Sequence, residues 1–171
     1  MILNEAKTIA EKYLAMFKPF CNEVMIAGSV RREKAEVKDI ELVALPKAEM
    51  KMIDMFNCES IRDEGFINLV NSFNRTKGNG KGKYAQLILI EGIKLDLFIA
   101  DGNNFGLIFM IRTGSAEFSK RMVTEIKSKG FYCEGGYLHS SDDDRIIPVR
   151  TEKDFFEITG MKFVEARERS L

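Results

Sequence analysis

Apolar side chains recur three and four positions apart over residues 4–18, at Ala6, Ile9, Ala10, Tyr13, Leu14 and Phe17, and Pro19 stands where such a run should stop. The spacing predicts an opening amphipathic helix. The period then shortens. EVMIAG reads as a strand ending at Gly28, with Ser29 as N-cap of a short helical turn through Val30, Arg31 and Arg32. DIELVAL, residues 39–45, reads as a second strand closed by Pro46, while residues 49–57 and 64–74 read as helices. KYAQLILIE and IKLDLFIA, joined at Gly92, are rich in β-formers and predict an antiparallel hairpin. Beyond Asp101 the helical period returns. NNFGLIFMIRT and SAEFSKRMVTEIKSKG predict two helices, the second capped at Ser115 and stopped at Gly130. Short strands follow around FYCE and GYLHS, with Gly135 and Gly136 at their turn. TEKDFFEITG then predicts a last helix, with Thr151 as N-cap, Asp154 in the capping-box place and Gly160 at its end. The pattern is that of an α+β protein with a mixed sheet flanked by helices.

Composition narrows the setting. The chain has 171 residues, 45% of them hydrophobic, with 13 Phe, which suffices for the core of one domain or two small ones. No apolar stretch approaches the roughly 20 residues that span a bilayer, and MILNEAKTIAEKYL carries acids where a secretory signal has a basic patch, so the expected setting is cytoplasmic. Cys21, Cys58 and Cys133 are far apart and there is one His, which suggests neither a disulfide framework nor a structural zinc site. Lys plus Arg equals Asp plus Glu at 26 each, so any footprint for nucleic acid must be local. The clearest is RTKGNGKGK, where Arg75, Lys77, Lys81 and Lys83 alternate with glycines and read as a mobile basic loop. Composition leaves open whether it is a solvated hairpin connection or contacts phosphate.

The chemistry lies in the acids. In a strand, Asp39 and Glu41 point to one face, and burying two like charges together is costly unless a cation sits between them. Asp96, in KLDLFIA, is a third acid in similar surroundings. If the strands are neighbours, three carboxylates converge in a hard-oxygen set that suits Mg²⁺ or Mn²⁺. Taken alone, the acids are more simply read as facing solvent or pairing with Lys38 and Lys94. A strand running through Gly28 and Ser29 into a helix start, followed by Arg31 and Arg32, adds backbone N–H groups and guanidinium forks suited to a triphosphate. Together these features point to nucleotidyl transfer.

GSVRREKAEVKDIELV resembles the signature of the nucleotidyltransferase superfamily, and its Arg-Arg form is similar to that of the family X DNA polymerases, the relatives of DNA polymerase beta. KLDLFIA resembles the family's third-carboxylate strand, and FGLIFMIRTGSAEFSKRM and TEKDFFEITGMKFVEARERS resemble the start and end of its thumb. The resemblance runs from about the first helix to the last residues. It implies a nucleotidyltransferase palm over residues 1–100 and a small α+β thumb over 101–171, with no room for the family's lyase and fingers regions, and hence no lyase activity. In extent the chain is similar to the minimal viral members and to small phage relatives.

The resemblance further implies that Asp39, Glu41 and Asp96 are catalytic metal ligands for two Mg²⁺ (or Mn²⁺) ions. The first two would bridge both ions, and Asp96 would lie near the primer 3′-hydroxyl. Gly28, Ser29 and Arg32 would hold the β and γ phosphates. Thr113, Gly114 and Ser115 would line the sugar and base, with Arg112 and Ser119 beside them, Phe118 in the thumb core and Lys120 near the template. Arg75, Lys77, Lys81, Lys83, Lys120 and Arg121 are the candidate DNA contacts.

Departures from the family pattern are equally specific. Ile111 and Arg112 replace an aromatic pair that helps exclude a 2′-hydroxyl; Ser119 replaces an Asn, Ala116 an acid, and Lys38 a small residue. The expected activity is addition of dNMP to a primer 3′ end in short gaps or at ends, as in repair, by a monomer that binds primer/template or gapped DNA and dNTP weakly and with low processivity. Transfer to a non-DNA acceptor, untemplated terminal transfer and a non-catalytic DNA-binding module are the alternatives. His139 reads as a turn residue, Asp142–Asp144 as a solvated acidic loop, and the methionines as core filling.

Overall fold

Helix α1 (Leu3–Phe17) lays Ala6, Ile9, Ala10, Tyr13 and Phe17 on one face of a five-stranded sheet in this computed structural model, which describes residues 1–55 and 57–169. The sheet is built from β1 (Cys21–Ile26), β2 (Ile40–Pro46), β5 (Asn74–Gly78), β6 (Tyr84–Ile88) and β7 (Lys94–Ile99), in the order β1-β2-β7-β6-β5. Only β2 and β7 run parallel; the other pairs are antiparallel, so the sheet is mixed. The central strands β2 and β7 bury nearly every side chain, as a strand covered on both faces must. Helix α3 (Glu64–Ser72), capped by the Asp63 carboxylate accepting from the Phe66 N–H, adds Phe66 and Val70 to the α1 side.

The opposite face carries Val43 and Phe98, covered by Phe105 and Phe109 of helix α4 (Phe105–Thr113). The other side of α4 supplies Leu107 and Met110 to a second core, shared with α5 (Ala116–Glu125), β9 (Tyr137–Ser140) and α6 (Glu152–Thr159). Strand β9 lies between β8 (Phe131–Glu134) and β10 (Ile146–Ile147). One helix thus serves two cores. At Gly106 a side chain would collide with the Thr151 carbonyl, so α4 and the start of α6 approach as only glycine allows. Thr151 and Asp154 form the expected capping box, and Ser115 caps α5.

Four expectations change. Residues 49–57 do not form a helix: β3 (Ala48–Met52) and β4 (Cys58–Arg62) make an exposed hairpin, with Phe56 outside the described residues. Its turn is fixed by Asp54, whose carboxylate accepts from the Asn57 N–H at 2.9 Å and side-chain amide at 2.8 Å, and this overrides the helix propensity of Met, Lys and Glu. The basic segment is not loop throughout, because Asn74–Gly78 pairs with β6 as an edge strand and only the residues after it turn. Ser29 is not an N-cap but lies inside α2 (Gly28–Arg31), since the chain leaves the strand at Gly28 with a φ of 61°. His139 sits in β9 rather than a turn, its ring stacked 5.0 Å from that of Tyr132. No helix among the described residues is long and apolar enough to cross a membrane.

The two cores are tied by a buried ion triplet. Glu152, at the first position of α6, accepts from Arg31 of α2 at 2.9 and 2.6 Å and from Arg169 at 2.6 Å. Arg169 is 0% exposed, and its remaining donors reach the Val164 carbonyl at 2.9 and 2.6 Å. Its guanidinium also lies 4.9 Å from the Phe118 ring. Burial alone would push the Glu152 carboxyl up, but the hydrogen bonds from Arg31 and Arg169 hold it below its ordinary value. Glu152→Ala leaves two guanidiniums short of their partner, one of them wholly buried. A loss of about 3–5 kcal/mol in urea unfolding is expected, against less than about 1 kcal/mol for breaking the exposed Arg121–Glu125 pair.

Candidate functional site

Parallel pairing of β2 and β7 sets Glu41 directly opposite Asp96. Asp39 stands one residue before β2, two positions from Glu41. On the other side, β6 sets Gln86 opposite Asp96. The Tyr84 hydroxyl donates to Asp96 Oδ1 at 2.6 Å and the Gln86 amide donates to the same oxygen at 2.9 Å. The Ala27 N–H donates to the Glu41 carbonyl at 2.9 Å, which stitches the entrance of α2 to β2. At Gly28 an added Cβ would overlap the Glu41 carboxylate, which would have to move, and the positive φ independently favours glycine. Glu41 and Asp96 open into a cavity of about 590 Å³, also lined by Lys83, Tyr84, Phe98 and Arg112. A slightly larger cavity of about 660 Å³, beside Pro46, Arg62 and Lys81, contains none of the three acids.

Charge is frustrated in this site. Burial, then the charges of Asp39 and Asp96, push the Glu41 carboxyl from 4.5 up to about 7. Asp39 is raised as well, by burial and then by Asp96. Arg32 partly offsets the acids: its Nη1 donates to the Thr113 carbonyl, it faces the Glu41 charge, and burial lowers its pKa. Its Nε is buried without a hydrogen-bond partner. Repelling oxygen donors with an unsatisfied guanidinium N–H beside them are what a phosphate-bound hard cation would relieve, so the donor set fits Mg²⁺, which takes one or two carboxylates and completes its shell with phosphate and water. Among the described residues, no three His, Cys, Asp or Glu side chains are already drawn together as a metal cluster.

The remaining candidates divide by environment. Arg31, beside Arg32 in sequence, is held by Glu152, donates to the Thr113 hydroxyl and packs 3.9 Å from the Phe109 ring centre, which takes it out of the cleft. Thr113, Gly114 and Ser115 are buried at the α4–α5 junction, where the Gly114–Ser115 peptide is cis. The Ser119 hydroxyl donates to the Ile111 carbonyl at 2.8 Å, pointing inward. Ile111 packs against the second core, whereas Arg112 lies 4.1 Å from the Phe98 ring centre at the cavity wall. Phe118 is buried there too, while Lys120 and Arg121 are exposed on α5. Arg75, Lys77 and Lys81 are exposed along the β5 edge and the turn after it. Lys83 reaches across to donate to the Gly135 carbonyl at 3.1 Å, with the Tyr137 ring 5.3 Å away.

Tyr84, Gln86, Glu152 and Arg169 were not singled out from sequence. Polar Tyr84 and Gln86 alternating with buried Ala85 and Leu87 was the available signal for the first two, because it puts them on one strand face. Glu152 and Arg169 carried none, since an acid in a first helical turn is explained by the helix dipole alone.

Known proteins resemble this chain in sequence and in fold. A family model described as DNA polymerase beta thumb matches residues 109–170. The DNA polymerase lambda of Rattus norvegicus is 25% identical over 160 residues, covering 83% of this chain; the chain spans only 28% of that protein's length. The crystal structure titled Leishmania infantum polymerase beta, ternary P/T complex, superposes on all of this chain and 77% of its own, with a TM-score of 0.71 at 14% identity, which shows a shared fold.

The raised Glu41 gives a signed pH dependence in the metal-free protein. The folded state holds this proton up to about pH 7 and the unfolded state releases it near 4.5, so stability falls as pH rises through that window, by about 3 kcal/mol in all. Glu41→Gln is expected to flatten the fall and to raise the melting temperature at pH 7.5 above wild type. Thermal melts from pH 4 to 8 with a chelator check this, and identical pH profiles would show that Glu41 is not strained.

Proposed function

We propose that this chain is a family X-like DNA polymerase that adds dNMP to a primer 3′-hydroxyl with release of pyrophosphate, a reading supported by its similarity to the DNA polymerase beta thumb and to DNA polymerase lambda. In this reading residues 1–100 are the catalytic palm and residues 101–171 the thumb that covers the nucleotide. The observation that carries it is the pairing of Glu41 with Asp96 across β2 and β7, with Asp39 beside them and the α2 turn pressed onto Glu41. Asp39, Glu41 and Asp96 would hold two Mg²⁺ or Mn²⁺ ions. Bound there, the ions supply Lewis acidity to the attacking hydroxyl and to the departing phosphate oxygens.

The chain's own residues define the rest. Glu41 and Asp39, both charged once bound cations relieve the repulsion between them, would hold those cations and meet the triphosphate only through them. Arg32, held at the thumb through the Thr113 carbonyl, offers its free Nε to the phosphates beside the α2 amides of Gly28 and Ser29. Arg112, at the cavity wall, reaches the nucleotide side. With Thr113, Ser115 and Ser119 turned inward, contacts from this junction to sugar and base come chiefly from its backbone. Arg75 and Lys77 on the β5 edge, Lys81 in the turn after it, and Lys120 and Arg121 on α5 would track the DNA backbone. Overall neutrality implies weak, salt-sensitive binding suited to short gaps.

A labelled primer, presented single-stranded, recessed and in a one-nucleotide gap, with each dNTP and rNTP in Mg²⁺ or Mn²⁺, tests this reading. Extension by wild type and its loss by more than about 100-fold in Asp39→Ala is the expected result. No extension on any substrate by folded protein would sink the polymerase reading and redirect the search to other nucleotidyl acceptors.

Lys77→Ala, on the exposed edge, is expected to weaken binding of gapped DNA similarly for every sequence and to reduce the slope of log K against log salt by about 1. Fluorescence anisotropy across a salt series measures it, and an unchanged slope would remove Lys77 from the footprint.

A further inference from the structure

Asp96 is the only one of the three acids held by side chains of a neighbouring strand. Its Oδ1 accepts from both the Tyr84 hydroxyl, at 2.6 Å, and the Gln86 amide, at 2.9 Å. Each donor is itself fixed. The Tyr84 ring packs on Phe98 with centroids 5.2 Å apart, and Phe98 in turn carries the Arg112 guanidinium at 4.1 Å. The Gln86 carbonyl oxygen accepts from the Thr76 hydroxyl at 2.6 Å, so the chain of contacts runs from the edge strand β5 through β6 to β7. That chain also sets the amide's orientation, because a flipped amide would turn its oxygen toward the carboxylate and lose the bond.

A carboxylate turns easily about its last torsion and offers lone pairs on both oxygens. Two donors on one oxygen stop that rotation. Bonds to a ligand oxygen or ring from outside the coordination shell commonly fix which atom meets an ion. Here Oδ1 takes both donors and Asp96 lines the cavity, so Oδ2 is the oxygen left for an ion, which favours single-oxygen coordination of the kind octahedral Mg²⁺ demands.

We propose that Tyr84 and Gln86 are positioning residues, holding Asp96 so that Oδ2 alone meets the divalent ion and the attacking hydroxyl. This rests on the polymerase reading for the identity of the hydroxyl, but not for the capture of the ion. Neither side chain reaches substrate in this role. Both act through Asp96, so their removal slows the reaction without weakening nucleotide binding.

The test uses Tyr84→Phe, Gln86→Leu and the double variant. Tyr84→Phe deletes one oxygen from a ring that stays packed on Phe98, and it decides the matter should Gln86→Leu lower the melting temperature. Two readouts are taken: single-turnover primer extension, and Mn²⁺ binding followed by electron paramagnetic resonance without DNA. The expected result is a fall of about 10- to 100-fold in the extension rate for the double variant, with the nucleotide KM within about threefold, and a Mn²⁺ affinity lowered by about 10-fold or more. Wild-type rate and Mn²⁺ affinity in folded variants would overturn the proposal, as would a raised KM at unchanged rate, which would make the pair substrate contacts. If wild type extends no primer, the polymerase reading fails separately. Mn²⁺ affinity then decides the positioning role on its own, weakened binding supporting it and unchanged binding overturning it.

Discussion

The Glu152 carboxylate, gripped by Arg31 on one side and Arg169 on the other, is the contact on which the rest of the arrangement depends. Arg31 belongs to the four-residue helix α2, whose first residue, Gly28, presses on Glu41. Arg169 anchors the C-terminal segment through the Val164 carbonyl. One acid therefore fixes three things: the pose of α2 over the acids, the seat of α6 against α4, and the return of the segment leading to Arg169 against the second core. Removing three charged groups from water is costly, and mutual neutralisation offsets that cost only when every partner is in place. The triplet specifies an arrangement more than it stabilises a fold.

The site has the opposite electrostatic character. The charges of Asp39, Glu41 and Asp96 oppose one another, and of the two guanidiniums that partly offset Glu41, that of Arg32 is committed in part to the Thr113 carbonyl and that of Arg112 lies against the Phe98 ring. The protein thus completes its ion pairing where the two cores meet and leaves it incomplete a few residues away, where Gly28 adjoins Glu41. Incomplete pairing in a cleft is the usual physical mark of a site that a charged ligand completes. The two regions share α2: Arg31 faces the structural triplet, and Arg32 faces the acids.

Much of the local structure was legible because its causes are local. The α1 apolar stripe, the Thr151–Asp154 capping box, the Ser115 cap and the Gly92 hairpin each depend on residues a few positions apart. Where local signals competed, the reading failed. Met, Lys and Glu favour a helix over residues 49–57, but the Asp54 turn closes a hairpin there. The glycines of the basic segment argue for a loop, yet pairing with β6 extends the sheet through Gly78.

Sequence by itself determined the inventory: an α+β chain, three acids in strand-like runs, a glycine before a helix start, and a second helical region after Asp101. It could not determine adjacency. That Glu41 faces Asp96 follows from β7 inserting between β2 and β6, a pairing between residues more than 50 positions apart. The same insertion brings Tyr84 and Gln86 onto Asp96, and docking of α6 brings Glu152 to Arg31. Hydrophobic period records which face of an element is buried, whereas the partner met on that face is chosen only when the whole sheet and both cores pack together.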